Sequence, residues 1–407
     1  VVESLGYNAG GEIKMGKRRL KEKLKARVCA EVEKQRNKLI QLSLKIHSNP
    51  EVGFKERKAC QWLTRYLAGN GFNIEKNVCG LSTAFKGVYG SGAPVIVLIA
   101  EYDALPGVGH ACGHNIIAAS AVGAAVASRP VIDSCGGTVI VLGTPAEEIF
   151  GGKVLMLNAG IFDGVDVAML VHPGVRNFVT TEALACVGID IEFSGKAAHA
   201  AAYPERGINA LDAVILSFNA INALRQHIRS DARIHGIITY GGEAPNIVPE
   251  RSAASFLVRA SDNGYLEELK AKVLNCFDAA ALATGAKLKY KWSDIVYAPM
   301  KNNERLAATF KLNLESLGRR VEPFSRHFGV GSTDMGNVSQ VVPAIHPTIA
   351  IAPPEVLVHS PDFAAAAASE EGHRGLLDAA KAMAMTIVDL LCDPRLLSEI
   401  KGEFHES

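Results

Sequence analysis

Between residues 17 and 48 the chain is charged, and apolar residues return at helical spacing at Leu24, Val28, Val32, Leu39, Leu42 and Leu44. That pattern predicts an amphipathic helix, which the stretch "HSNPEVGFKE" ends at a turn. A second helical pattern, "ERKACQWLTRYLAGNGF", stops at Gly69, Asn70 and Gly71, residues that suit a C-cap and the turn after it. Three short runs follow: "PVIVLIAEYD" (94–103), "GTVIVLGTPAEE" (137–148) and "VDVAMLVHPG" (165–174). Each is apolar through its body and polar at its C-terminal end, the signature of a strand buried on both faces. Helical stretches separate them. The most apolar of these, "NIIAASAVGAAVAS" (115–128), is too short for a bilayer span and meets Arg129 and Pro130, so a buried helix is predicted.

After about Thr181 the pattern changes. "LACVGIDIEFSGKAAHA" alternates like a strand, "GINALDAVILSFNAINALRQHI" is a long amphipathic helix, and "IHGIITYGG" and "SAASFLVRAS" are strand-like. A helix, "YLEELKAKVLNCFDAAALATG", and a strand, "KLKYKWSD", complete a βαββαβ order, which forms one sheet covered by two helices. The expected fold is therefore α/β: a catalytic domain with a mostly parallel sheet (15–182 and 297–407) and an inserted, smaller α+β domain (183–296). Helical "EEGHRGLLDAAKAMAMTIVDLLCD" closes the first domain. Met15 is a candidate start, and residues 1–14 are expected to be an upstream extension without a role.

At 407 residues the chain exceeds what one core usually organises, which agrees with two domains. A net charge of +1 argues against a nucleic-acid partner with its large basic field, and neither a membrane partner nor a secretory signal is expected. The eight cysteines form no CxxC pair and are too sparse for a disulfide scaffold, so a reducing, cytoplasmic setting is expected.

The polar strand ends carry the candidate chemistry, because ligands of open α/β sheets gather there. In order they offer Asp103, the loop "HACGHN" with His110, Cys112 and His114, then Glu147 and Glu148, then His172. Carboxylate oxygen, imidazole nitrogen and thiolate sulfur together suit a divalent metal. Cys112 and His114, two residues apart, point the same way in an extended loop. Of the two adjacent glutamates one can bind metal while the other holds and deprotonates a water, and their spacing does not set which is which. Taken singly, each residue has a plainer reading as a solvated carboxylate or an inert thiol; their joint placement favours a site.

With these motifs in order, the chain resembles the M20 family of metallopeptidases and amidohydrolases, in particular its aminoacylase-like branch. The resemblance runs from about Glu33 to Leu391 through "IHSNPEVGFKE", "AEYDALPGVGHACGHN", "GTPAEE", "VHPG", "GKAAHAAAYPERGINALDA", "GGEAPNIVPERSAASFLVR", "GSTDMGNVSQVVPAIHP" and "LVHSPDF". It implies metal ligands at Cys112, His114, Glu148, His172 and His359, the general base at Glu147 and a ligand-orienting carboxylate at Asp103. It also implies that the smaller domain is a lid and dimerisation domain, with His199 hydrogen-bonding the oxyanion and Asn246 and Arg259 binding a substrate carboxylate. The expected cofactor is one or two divalent ions, Zn or Mn. Dinuclear relatives in the wider family carry a ligating histidine where this chain has Glu101.

The expected activity is hydrolysis of the amide bond of an N-acyl-amino acid or dipeptide-like small molecule by a homodimer. The alternative is a catalytically silent binding protein on the same fold, which would need no base beside a metal.

Overall fold

A computed structural model describes residues 9–406. The expectation for the candidate extension lies, for residues 1–8, outside the described residues. The chain divides into two compact units, one formed by residues up to Thr181 with 301–328 and 338–407, the other by 182–300 with 329–337.

The first unit begins with α1 (Ala9–His47) and α2 (Arg57–Ala68), then β1 (Asn73–Lys76), β2 (Phe85–Ser91), β3 (Val95–Glu101), α3 (His114–Cys135) and β4 (Gly137–Thr144). Short elements follow: α4 (Glu147–Phe150), α5 (Gly152–Asn158), β5 (Val167–Met169) and β6 (His172–Gly174). The second unit contributes β7 (Ala185–Ser194), α6 (Ala210–Leu224), β8 (Arg233–Tyr240), β9 (Arg251–Ala260), α7 (Asn263–Thr284) and β10 (Lys287–Tyr297). The chain then runs through α8 (Glu304–Ser316), α9 (Met335–Ser339), β11 (Ala344–Ile345), β12 (Thr348–Ala350), α10 (Pro361–Ala366), α11 (Glu370–Cys392) and α12 (Pro394–Glu406).

The main sheet has the order β1-β2-β4-β3-β5-β11, parallel from β4 through β11. β1 and β2 add an antiparallel edge that the hydropathy pattern did not reveal, because these two strands are short or half-exposed. The third apolar run divides at Leu170 and Val171: β5 stays in the main sheet, while β6 pairs with β12 in a separate two-stranded one. α3, α1 and α11 pack together beside this sheet. On α1 the buried positions are Leu24, Val28, Val32, Leu39, Leu42 and Ile46, so Ile46 takes the core position expected of Leu44. α3 runs past Arg129 and Pro130 to Cys135, longer than predicted. It is long and apolar enough to cross a membrane, and most of it is buried inside this fold.

The second unit is the expected βαββαβ motif, an antiparallel sheet of order β10-β7-β9-β8 with α6 and α7 against it. Along β7 the buried side chains Val187, Ile189, Ile191 and Phe193 recur every second residue and face the helices' Val214, Leu269, Val273 and Phe277 in one core. Asn209 caps α6 by accepting from Leu211 N, and Asp262 caps α7 by accepting from Tyr265 N. Residues 329–337, placed by the sequence pattern in the first domain, belong with this unit. Leu184 N donates to Gly331 O, and Ala298 N donates to Asn337 Oδ1.

Candidate metal centre

Four segments of the first unit bring the candidate side chains together. β3 ends on Glu101 and leads to Asp103; the loop beyond carries His110 and Cys112 and turns into α3 at Gly113, whose φ is +77°. A Cβ at Gly113 would sit 2.4 Å from Pro173 Cγ, beside His172, so the loop can approach β6 only with glycine there. β4 stops at Thr144, and the left-handed Ala146 hands the chain to α4, which starts with Glu147 and Glu148. The glutamate pair thus opens a helical turn rather than ending a strand, where adjacent side chains would face opposite sides of the sheet. His359 lies between β12 and α10, and its N–H donates to Ala111 O at 2.9 Å, tying it to the "HACGH" loop.

His114 is fully buried, and its Nδ1 lies 3.0 Å from Asp103 Oδ1. That contact makes Nδ1 a protonated nitrogen and leaves Nε2 facing Glu148 Oε1 at 3.6 Å and Glu101 Oε2 at 3.5 Å. Asp103 Oδ2 accepts the Glu148 N–H at 3.0 Å, so both oxygens of this buried carboxylate are engaged. His172 Nδ1 donates to Pro173 O at 2.6 Å, and its Nε2 lies 3.3 Å from Cys112 Sγ. His359 Nε2 is 3.7 Å from Glu148 Oε2.

Three overlapping triads result: Cys112, His114 and His172; Cys112, Glu148 and His359; His114, Glu147 and Glu148. In each, the ligand atoms lie within 4.8 Å of one another. The edge of a tetrahedron with Zn–N or Zn–S bonds of usual length is about 3.3–3.8 Å, and the contacts Cys112–His172, His114–Glu148 and His359–Glu148, at 3.3, 3.6 and 3.7 Å, fall within it. His114 Nε2 and Glu148 Oε1 are buried with no hydrogen-bond partner among the described residues. Orphaned buried donors of this kind, beside sulfur and carboxylate, fit a divalent cation.

Burial opposes a charge on His114, yet the Asp103 carboxylate and Cys112 raise it well above its usual value, so a bound cation would take the place of the Nε2 proton. Burial pushes the Cys112 thiol well above its usual value, so a cation is needed to ionise it. Burial, aided by His346 and His114, lowers His172 to about 3 and keeps its imidazole neutral, as a ligand must be. Burial opposes ionisation of Glu101 as well, yet Lys153 above all holds its carboxyl down at about 2. Burial lowers His110 to about 3; it is 2% exposed, stacks on His47 and joins none of the triads.

Two neighbours of the centre carried no assignment from the sequence. Lys153, fully buried, pairs with Glu101 Oε1 at 2.5 Å, while Glu101 Oε2 faces His114 Nε2 at 3.5 Å. His346 packs edge-on against His172 with ring centroids 5.5 Å apart. A lone lysine in "GGKVLM" and a lone histidine in "AIHPT" carry no spacing signal that would have singled them out.

In the second unit, His199 and Asn246 are neighbours: Ala200 N donates to Asn246 O, and His199 bridges to Ile247. His199 Nδ1 accepts from Ala201 N and Ala202 N, which leaves its Nε2 as the protonated, outward donor. Arg259, half-buried on β9, donates to Ser332 Oγ at 2.9 Å.

Over 400 residues the chain is 38% identical to a Xaa-Arg dipeptidase from Mus musculus, covering 94% of this chain and 92% of that protein. The chain belongs to the M20 family of metallopeptidases and amidohydrolases. It is also 30% identical to a p-aminobenzoyl-glutamate hydrolase polypeptide of Escherichia coli, over 92% of this chain and 93% of that one. Residues 185–284 of this M20 member match the peptidase dimerisation domain, which corresponds to the second unit. The fold is shared with a putative aminohydrolase from methicillin-resistant Staphylococcus aureus, at a TM-score of 0.76 and 19% identity over 90% of this chain and 99% of that chain. It is shared too with a dinuclear metal-binding M20 peptidase from Bacillus subtilis, at a TM-score of 0.69 and 20% identity over 88% of this chain and 99% of that one. This M20 protein is an enzyme that hydrolyses peptide or amide bonds with a divalent metal.

Proposed function

We propose that this enzyme cleaves the amide bond of a dipeptide-like or N-acyl-amino acid substrate with a free carboxylate, using Glu147 as general base. Cys112, His114, Glu148, His172 and His359 would hold one or two ions, Zn or Mn. When bound, the metal supplies Lewis acidity, acidifying water and polarising the substrate carbonyl. Glu147 takes a proton from the water as its oxygen adds to the amide carbon, then delivers that proton to the nitrogen as the C–N bond breaks. The products are a carboxylate and an amine.

Asp103 holds His114 in the tautomer that presents Nε2. From the second unit, His199 would donate its Nε2–H to the developing oxyanion, and Asn246 with Arg259 would bind the substrate carboxylate. The reading includes a homodimer assembled through the dimerisation domain and a cytoplasmic location. The single observation that carries it is the convergence of His114 Nε2, Glu148 and Glu147 in one triad, a ligand pair with a second carboxylate beside it.

The test is a hydrolysis panel of Xaa-Arg dipeptides, N-acetyl-amino acids and aminobenzoyl-glutamate, run with Zn²⁺, Mn²⁺ and Co²⁺ separately. Glu147→Gln is expected to lower kcat by at least about 10²-fold, the lower range for loss of a general base, with metal content unchanged. Full activity in that variant refutes the assignment of the base.

A further inference from the structure

The motif "HSNPEVGFKE" has so far contributed only a turn. Its last residue, Glu56, is fully buried and occupies the N-cap position of α2, yet its carboxylate makes no capping bond. Glu51 does that work instead, its carboxylate accepting from Lys58 N at 2.8 Å and from Ala59 N at 3.1 Å. Relieved of the cap, the Glu56 carboxylate turns inward. Oε1 accepts the Ala146 N–H at 2.9 Å, and Oε2 accepts the Thr83 hydroxyl at 2.9 Å. Thr83 is itself held, its carbonyl accepting from Tyr102 OH at 2.5 Å, next to Asp103.

Ala146 is the residue that needs an anchor. It is fully buried with φ +60° and ψ +42°, a left-handed conformation that costs an alanine energy and persists only where surrounding contacts hold it. It lies past the end of β4, beyond the sheet ladder, so the acceptor for its N–H comes from Glu56. On its far side the turn closes against Gly152, where a Cβ would fall 1.8 Å from Pro145 O. The next residue is Glu147.

We propose that Glu56 is a positioning residue for the general base: its buried carboxylate pins the left-handed turn at Ala146 and so sets the direction in which Glu147 leaves β4. The proposal rests on Glu147 being the base. A purely space-filling role would be served by an apolar side chain, whereas this position supplies two acceptor oxygens to two donors. Gln preserves the length, an acceptor for Ala146 N and an amide donor that the Thr83 hydroxyl can accept. Leu preserves the bulk alone.

Glu56→Gln, Glu56→Leu and Thr83→Val are to be compared with wild type and Glu147→Gln, on the best substrate of the panel above. Expected for Glu56→Leu is a kcat lower by about 10- to 100-fold, since small misplacements of a reacting group cost that much. KM and metal content should stay within about twofold, and hydrogen exchange of the peptide spanning 144–150 should quicken. Glu56→Gln should restore kcat to within about threefold, and Thr83→Val, which frees one end of the carboxylate, should lower it by about threefold. An unaltered kcat in Glu56→Leu overturns the proposal, and so does a Gln variant as impaired as Leu. Should Glu56→Leu not fold, an unchanged kcat in Thr83→Val overturns it. Activity surviving in Glu147→Gln would instead remove the base assignment itself, whatever the Glu56 variants do.

Discussion

Asp103 binds His114 with one carboxylate oxygen and the backbone of Glu148 with the other, each at 3.0 Å, so a single buried side chain aligns two members of the candidate metal centre. In Asp103→Asn one of those two bonds must be lost, because the amide offers one acceptor where two are used. Metal affinity is expected to fall by about 10- to 100-fold, measured by competition with a chromophoric chelator. An affinity equal to wild type would show that the pair is not aligned through Asp103.

Removing the metal should destabilise the fold. His114 Nε2 and Glu148 Oε1 lose the partner that their burial calls for, and the carboxylates of Glu147 and Glu148 lose a counter-charge. Dialysis against a chelator should lower Tm, and returning Zn²⁺ or Mn²⁺ at about a hundred times its Kd should restore about 2.7 kcal/mol. A Tm that ignores both treatments would place the ion elsewhere than in a buried centre.

Glu56 predicts a pH dependence of stability. Burial raises its carboxyl from 4.5 to about 7, with the Asp103 charge adding to the effect and the bonds from Thr83 and Ala146 opposing it. The fold therefore favours the protonated acid. That contribution is fully present below pH 4.5 and is lost as pH rises from there through 7, by up to about 3 kcal/mol at about 1.4 kcal/mol per unit. Glu56→Gln cannot ionise, so the difference in unfolding free energy between it and wild type should grow in the variant's favour across that window. Denaturant titrations at several pH values between 4.5 and 7.5 measure it, and a flat difference would contradict it.

Gly113→Ala should disturb the ligand loop from its backbone. The substitution adds a left-handed penalty of about 1–2 kcal/mol and drives a methyl to within 2.4 Å of Pro173 Cγ. A Tm lower by at least about 2 °C is expected by thermal melting, together with weaker metal binding, since Cys112 and His114 flank the turn. An unchanged Tm would mean that the loop and β6 part at no cost.

Much of this arrangement could be read along the chain. The uninterrupted apolar bodies of β3 and β4 announced buried parallel strands, and their polar ends at Asp103 and Glu147 announced where the chemistry would gather. The period-two burial of β7 and the capped helices of the second unit likewise follow local rules. Motif spacing was enough to single out Cys112 with His114 and the adjacent glutamates.

What local pattern could not decide is which distant side chains share a charge or a hydrogen bond. Glu101 and Lys153 are 52 positions apart, Glu56 and Ala146 are 90 apart, and neither pair has a periodic or motif signature. The half-exposed edge strands β1 and β2 and the affiliation of residues 329–337 also depended on partners remote in sequence. Hydrophobic periodicity and turn chemistry act over a few residues, and the sequence by itself therefore determined most of the elements, the fold class and the candidate side chains at the strand ends. The pairing of buried polar groups is settled only when burial removes water and each group must find a partner in space. For that reason the tertiary structure alone decided that Asp103 aligns His114 and Glu148, that Lys153 claims Glu101, and that Glu56 anchors the turn before Glu147.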